Sequence, residues 1–398
     1  MKIVILVDEY LPLGTRVHSK MMHDLALEFA LRGHEITVIT PGNPNQSSKL
    51  VVDYLDDIEI LRFRSGFTRG VGLFSRAINE FLLSFRGWIA IKKRLKNKKF
   101  DLCINYSPTI FFGPLAKKIN KKGAYSYLVL RDMFPQWIID QGIIKNKSFP
   151  AIIFRYFERL NYFSAQTIGV MSDHQSKLLK KNFPDIKNTQ ILRNWRSDIK
   201  NSYIDSSILK TLEIEDKVIF FYGGNIGYAQ DMKNIIKLAK AMKSYTQAHF
   251  LIVGNGDEFE LIQNLKIKWK LDNISIFPSI SQDEYATLLQ SIDIGLFSLS
   301  QKHSAHNFPG KLLGYMSASK PILGSVNHGN DLLTLVNDSK AGLVFVNGED
   351  ELFKEAALRL LNDENLRNKM GGHGHKLLKQ KFSVEHAADT ILTAMIES

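Results

Sequence analysis

The sequence predicts an α/β protein made of two doubly wound, Rossmann-like halves, on three observations. Short, almost wholly apolar runs recur along the chain, starting with Lys2–Val7, as strands buried on both faces require. Each run leads into a glycine- or proline-bearing loop and then a segment with apolar residues at helical spacing. The rhythm fails once, over residues 195–215, and then restarts.

In the first half, Lys2–Val7 is a strand and Glu9–Thr15 is a loop containing Pro12 and Gly14. Val17–Arg32 is a helix, with Met21, Leu25 and Phe29 on one side. Gly33 ends it and Glu35–Thr40 returns as a strand, a βαβ opening. Further strands are expected at Ile58–Arg64, Phe100–Asn105, Ser126–Leu130, Gln166–Met171 and Thr189–Asn194. Helices are expected at 70–96, 114–122, 148–164 and 173–182. The polar stretch 195–215 reads as a linker. The second half repeats the plan, with strands at Lys217–Tyr222, His249–Val253, Ile274–Phe277, Ile292–Leu299, Pro321–Ser325 and Ala341–Val346. Its helices are expected at 231–244, 258–270, 282–291, 349–363 and 365–380. Two sheets of this kind facing one cleft would bind ligands at their strands' carboxyl ends.

With 398 residues, 44% hydrophobic and 23% charged, the chain can bury two cores. Its single cysteine, Cys103, allows no internal disulfide and fits a reducing compartment. The amino terminus lacks the pattern of a signal peptide, and no run of 18 apolar residues offers a membrane span. Charge is unevenly placed. Residues 1–200 hold 32 Lys and Arg against 17 Asp and Glu, whereas 201–398 hold 20 against 23. The excess concentrates in 62–99, with 11 basic residues and one acid, Glu80. Helix 74–91 sets Ile78, Phe81, Leu82, Phe85, Trp88 and Ile89 on one stripe beside Arg76 and Arg86. That suits either the surface of an anionic bilayer or a core helix with a solvated basic face. No nucleic-acid-binding signature accompanies it.

The stretch His306–Pro321 carries the most chemistry. Pro309 and Gly310 open a short helix, so the amides of Gly310, Lys311 and Leu312 are expected to point out unpaired, with the Lys311 charge beside them. An ordinary helix connection with a surface lysine is the bland alternative. Gly223-Gly224-Asn225-Ile226-Gly227 offers either an anion nest or a tight turn. Asp132, after a buried-looking strand and beside Arg131, suits a sugar hydroxyl or proton transfer, or else a surface ion pair. No zinc-type spacing, strand-end D-x-D or nucleophile elbow occurs, so no metal or other cofactor is expected.

Taken in order, these residues resemble the family 4 glycosyltransferases of GT-B fold, retaining enzymes that use nucleotide sugars. The resemblance spans nearly the whole chain. It rests on Leu11-Pro12-Leu13-Gly14, Arg32-Gly33-His34-Glu35-Ile36-Thr37-Val38, Asn194-Trp195, Gly224-Asn225-Ile226-Gly227, Val253-Gly254-Asn255-Gly256, Pro309-Gly310-Lys311-Leu312-Leu313 and Phe382-Ser383-Val384-Glu385. Arg131-Asp132-Met133-Phe134-Pro135-Gln136-Trp137 and Phe308–Met316 resemble, more narrowly, the N-acetyl-L-fucosaminyl transferases of O-antigen assembly.

The resemblance implies an acceptor- and membrane-facing domain over 1–200, a nucleotide-sugar domain over 201–382, and a terminal helix, 383–398, crossing back to the first. It implies a UDP-sugar donor and an acceptor sugar on undecaprenyl diphosphate. The enzyme would sit peripherally on the inner face of the bacterial cytoplasmic membrane. Asp132, Lys311 and Arg131 would act in catalysis. The donor would lie among Gly14, Gly227, Asn225, Gln230, Gly254, Phe277, Ser279, Phe308, Gly310, Leu312 and Gly314. Departures accompany the likeness. The family's paired glutamates fall at His306 and Gly314, its diphosphate-binding Arg and Lys at Asn225 and Gln230, and its first-domain histidine at Arg131. Lys311 is then the cation left for the diphosphate. The rival readings are a UDP-sugar 2-epimerase of the same fold and a non-catalytic, basic nucleic-acid-binding protein.

Overall fold

A computed structural model describes residues 1–14, 16–67, 72, 78–140, 144–196, 207–212, 214, 216–301 and 308–397. The chain forms two compact units, one of residues 1–196 with 384–398 and the other of 197–383.

The first unit holds eight strands: β1 (Lys2–Leu6), β2 (Glu35–Gly42), β3 (Leu50–Leu55), β4 (Ile58–Arg64), β5 (Leu102–Ser107), β6 (Tyr125–Leu130), β7 (Thr167–Val170) and β8 (Asn188–Ile191). Their order is β3-β4-β2-β1-β5-β6-β7-β8, so the direction of winding reverses between β1 and β5. All neighbours are parallel except β3 and β4. β3 was not anticipated. It is an edge strand with half of its residues exposed, closed onto β4 by Asp56 and Asp57 at φ 49° and 63°. Short acidic residues tolerate that left-handed turn. The expected strand 100–105 lies two residues later, at Leu102–Ser107.

The second unit holds β9 (Val218–Gly223), β10 (Ala248–Val253), β11 (Ile274–Phe277), β12 (Ile294–Ser298), β13 (Ile322–Val326) and β14 (Gly342–Val346). All are parallel, in the order β11-β10-β9-β12-β13-β14, which reverses between β9 and β12. A helix Asp331–Asp338, capped by the Asn330 side chain on the Leu332 amide, was also not anticipated.

The boundary stretch differs from a simple linker. Trp195 is 3% exposed in the first unit's core, and its indole N–H donates to the Met21 carbonyl at 2.7 Å. Residues 207–212 form a helix, and 197–206 lie outside the described residues. So do 74–77 of the expected helix 74–91, which the structure describes as helical at 78–81 and over Leu83–Ile91. The last helix, Val384–Ile396, packs on helix Val17–Leu31 through Val384, Ala388 and Ile391. Arg32 fastens it from outside, bonding Asp389 at 2.5 Å. Ile391→Ala should lower the first unit's stability by about 2–5 kcal/mol. Calorimetric unfolding checks this, and a wild-type melting profile would mean that the helix is not part of that core.

Candidate active site

Each unit carries its distinctive polar groups where the strand order reverses, at the carboxyl ends of the strands. In parallel α/β sheets this is where ligands bind.

In the second unit the central group is Lys311, first residue of helix Lys311–Ser317. Its Nζ is shut off from solvent and has no hydrogen-bond partner among the described residues. The ammonium lies 3.2 Å from the centre of the Tyr222 ring, at the end of β9. The ring face gives a cation a partial counterpart, worth about 1–2 kcal/mol when desolvated. It does not replace an anion, and burial drives the amine well below the usual lysine range. Gly224, at φ 124°, lies against the lysine, where an added Cβ would meet Cε at 3.5 Å.

Tyr315 fixes this geometry. Its hydroxyl accepts the Gly223 amide at 3.3 Å and reaches the carbonyls of Phe221 and Leu296 at 3.2 and 3.1 Å. One buried side chain thus pins the lysine-bearing helix to β9 and β12. Leu312, Leu313 and Met316 bury the rest of that helix in the core, as the sequence suggested.

Several sequence expectations change here. Pro309 precedes the N-cap residue, Gly310, rather than sitting in the first helical turn. The Leu312 amide is not free: it donates to the Pro309 carbonyl at 3.1 Å, a tight first turn, and the Leu312 side chain is fully buried. Gly314 is buried within the helix. The glycine loop is a turn and not a nest. The amides of Gly224 and Ile226 donate to Val253 and Asn255 carbonyls, both at 2.9 Å, and Gly227 donates to Gln230 Oε1 at 3.2 Å. Gly254 is needed because the Gly224 carbonyl occupies the place of a Cβ, a backbone contact and not a ligand contact.

Gly310 stays exposed with open space around it. Asn225 and Gln230 lie together, amide to amide at 2.8 Å, beside Gly227. Phe277 is half-buried at the end of β11, its carbonyl accepting the Gly254 amide, and Ser279 beyond it is exposed. The Phe308 ring packs 4.6 Å from that of Phe382. His306 lies outside the described residues.

In the first unit, the loops after β1 and β6 and the start of helix Val17–Leu31 bring Asp8, His18 and Asp132 into one neighbourhood. His18 Nε2 is 3.3 Å from Asp8 Oδ1, and its ring stacks on Tyr106 at 5.4 Å. Neither facing atom has a well-aligned hydrogen bond. Asp132 is open at its rim yet hemmed in by protein. Desolvation lifts its carboxyl, Arg131 and His18 pull it down, and Asp8 lifts it again. Such an arrangement can hold a hydroxyl and share its proton.

Arg131 turns out to be a strut. It is buried, donating to the carbonyls of Leu192 and Arg193 at 2.7 and 3.3 Å, with its guanidinium over Trp195. Burial pushes it down to about 10. Gly14 is buried, its amide bonded to the Tyr10 carbonyl at 2.9 Å, with the Ser19 and Glu9 side chains crowding the place of a Cβ. His18 was missed by sequence reasoning. Its signal was a histidine in the first turn of the first helix, facing an aspartate just past the first strand.

Comparison with known proteins agrees with this architecture. Residues 205–377 match the family Glycosyl transferases group 1. The chain is 22% identical over 312 residues to a Pseudomonas aeruginosa protein named as glycosyltransferase WbjE, covering 77% of this chain and 76% of that one. It is 25% identical over 345 residues to WcaI of Escherichia coli, named for colanic acid biosynthesis, covering 80% and 81%. The structure of Anabaena HepE in complex with UDP and glucose superposes with a TM-score of 0.65 over 100% of both chains, at 13% identity. The two parallel-sheet units are the GT-B fold. With the match over residues 205–377 and relatives named as glycosyltransferases, the chain is a transferase enzyme.

Lys311 gives a pH signature. Its amine is lowered in the folded state, so the unfolded chain binds more protons between that lowered value and the usual 10.5. Stability of the ligand-free protein should therefore rise with pH across that window. Lys311→Met should be more stable than wild type at pH 7 and show a flatter rise towards pH 10. Denaturant unfolding at several pH values checks this, and a Met variant less stable at pH 7 would contradict the buried, unpaired ammonium.

Proposed function

We propose that this protein is a retaining glycosyltransferase. It moves a sugar, N-acetyl-L-fucosamine, from a UDP-sugar to a sugar carried on polyprenyl diphosphate, in bacterial surface-polysaccharide synthesis. The observation that carries the reading is the buried Lys311 ammonium at the carboxyl end of β9, without a hydrogen-bond partner among the described residues. A desolvated cation at a strand-order reversal is a site for an anion, and a diphosphate satisfies it. The uracil would lie along Phe277-Pro278-Ser279-Ile280, and Asn225 and Gln230 would offer neutral hydrogen bonds where the family carries cations. HepE, solved with UDP, favours the nucleotide. The name of WcaI favours the polysaccharide setting. The choice of N-acetyl-L-fucosamine rests on the stretches 131–137 and 308–316.

As the bond from the anomeric carbon to the diphosphate oxygen breaks, charge grows on the leaving phosphate and Lys311 stabilises it. The acceptor hydroxyl adds on the face from which UDP departs, and its proton passes to the departing phosphate oxygen. In the first unit, Asp132 with Asp8 and His18 would hold a sugar hydroxyl. The acceptor's lipid would bring the basic first unit to the cytoplasmic face of the membrane. No helix among the described residues is long and apolar enough to cross it.

Thermal shift with UDP, GDP and ADP tests the donor. UDP alone should stabilise the protein, by about 3 kcal/mol at a hundredfold excess over its Kd, with or without EDTA. No shift with any nucleotide would overturn the donor site. Lys311→Ala should stay folded and lose about 100-fold or more in turnover. Near-normal turnover would remove Lys311 from the reaction.

A further inference from the structure

Helix Phe149–Tyr162 packs Ala151, Phe154 and Phe157 inward and buries polar side chains beside them. Its buried positions include Glu158, Asn161 and Tyr162. Glu158 is bonded to Arg155 at 2.9 Å and accepts from the Tyr162 hydroxyl at 3.2 Å, and Asn161 bonds Asn105 and Ser107 at 2.7 and 3.3 Å. Its outward face, continued one residue past its end, carries Phe149, Ile152, Tyr156 and Phe163 at 75, 60, 60 and 43% exposure. The spacing of 3, 4 and 7 residues puts them on one stripe.

A second stripe runs along the helical stretch 78–91, where Ile78, Phe81, Phe85 and Ile89 are 43, 48, 60 and 36% exposed. The two are contiguous, because the Phe81 ring packs at 5.1 Å on that of Phe157. Scattered exposed apolar residues need no explanation, but two joined stripes of large ones do.

The surroundings say what covers them. Residues 78–99 and 144–163 together hold eleven Lys and Arg against Glu80 and Glu158, and Glu158 is buried. Lys92 and Lys93 stand exposed just past one stripe, and Lys145 and Lys147 just before the other. Arg159 lies within its stripe, its guanidinium 5.2 Å from the Phe163 ring. An apolar surface framed by cations complements a bilayer, whose acyl chains take the rings and whose anionic headgroups take the lysines. Nucleic acid would match the charge but not Ile152, Ile78 or Ile89.

We propose that the joined faces of helix 149–162 and stretch 78–91 form a seat for an anionic phospholipid surface, entered by the aromatic side chains without crossing it. The inference deepens the membrane-bound acceptor reading, but its test involves no sugar, so the two fail separately.

Flotation of the full-length protein with vesicles of phosphatidylglycerol and phosphatidylcholine, against phosphatidylcholine alone, is the experiment. Wild type should float with the anionic vesicles at low salt, and the double variant Ile152→Ser/Tyr156→Ser should partition about tenfold less. Both positions are exposed, so its melting temperature should stay near wild type. Lys145→Glu/Lys147→Glu should keep the fold and lose binding to the anionic vesicles selectively. Failure of the wild type to float, or equal flotation of all three proteins, would overturn the proposal. A dimer dissolved by Ile152→Ser/Tyr156→Ser, with no vesicle binding, would overturn it in favour of a second copy of this chain.

Discussion

A primary ammonium buried with no hydrogen-bond partner among the described residues is the constraint on which the second unit's site depends. Desolvating a cation costs several kcal/mol, and one aromatic face returns only part of that. Lys311 is held in this state by a rigid frame. Tyr315 fastens its helix to two strands, and the Tyr222 hydroxyl ties the ring beneath the ammonium to the Asn225 carbonyl at 2.5 Å. An anion bound beside Lys311 would relieve the cost of burying its charge.

The first unit answers the same topology with different chemistry. At its own reversal point it gathers two carboxylates and an imidazole around an aromatic floor. Its buried cation, Arg131, is consumed by backbone carbonyls and holds the end of β6 to the chain beyond β8. That division gives one unit a buried lysine with no partner among the described residues and the other a cluster of two carboxylates and an imidazole. The apolar stripes belong to the first unit as well, so the outward chemistry of that unit is lipid-like while its strand ends are polar.

Much of the architecture was legible because strands buried on both faces leave unmistakable apolar runs, and glycines mark where they turn. β3 escaped because an edge strand with half its residues in water has no such run, and its turn uses two aspartates instead of glycine. The helix 331–338 escaped because it is short. Lys311 was legible from its place at the start of a helix after β12, but the number of free amides was not. Whether the Leu312 amide bonds backward to Pro309 is decided by the tightness of one turn. Arg131 and Asp132 are neighbours in sequence with opposite fates, since one points into the core and the other outward, and spacing alone cannot say which. Periodicity likewise found helix 148–164 without showing that a second apolar stripe faces out, because its inner side is claimed by Phe154 and Phe157 on the core and by Asn161 on Asn105 and Ser107.

The most direct test of the central claim is calorimetric binding of UDP and of uridine to wild type and to Lys311→Met. If the buried ammonium holds the diphosphate, the variant should lose about 2–3 kcal/mol of UDP affinity, the scale of a charge-assisted contact, while uridine binds both proteins alike. Equal UDP affinity in the two proteins, or the same loss for uridine as for UDP, would contradict it.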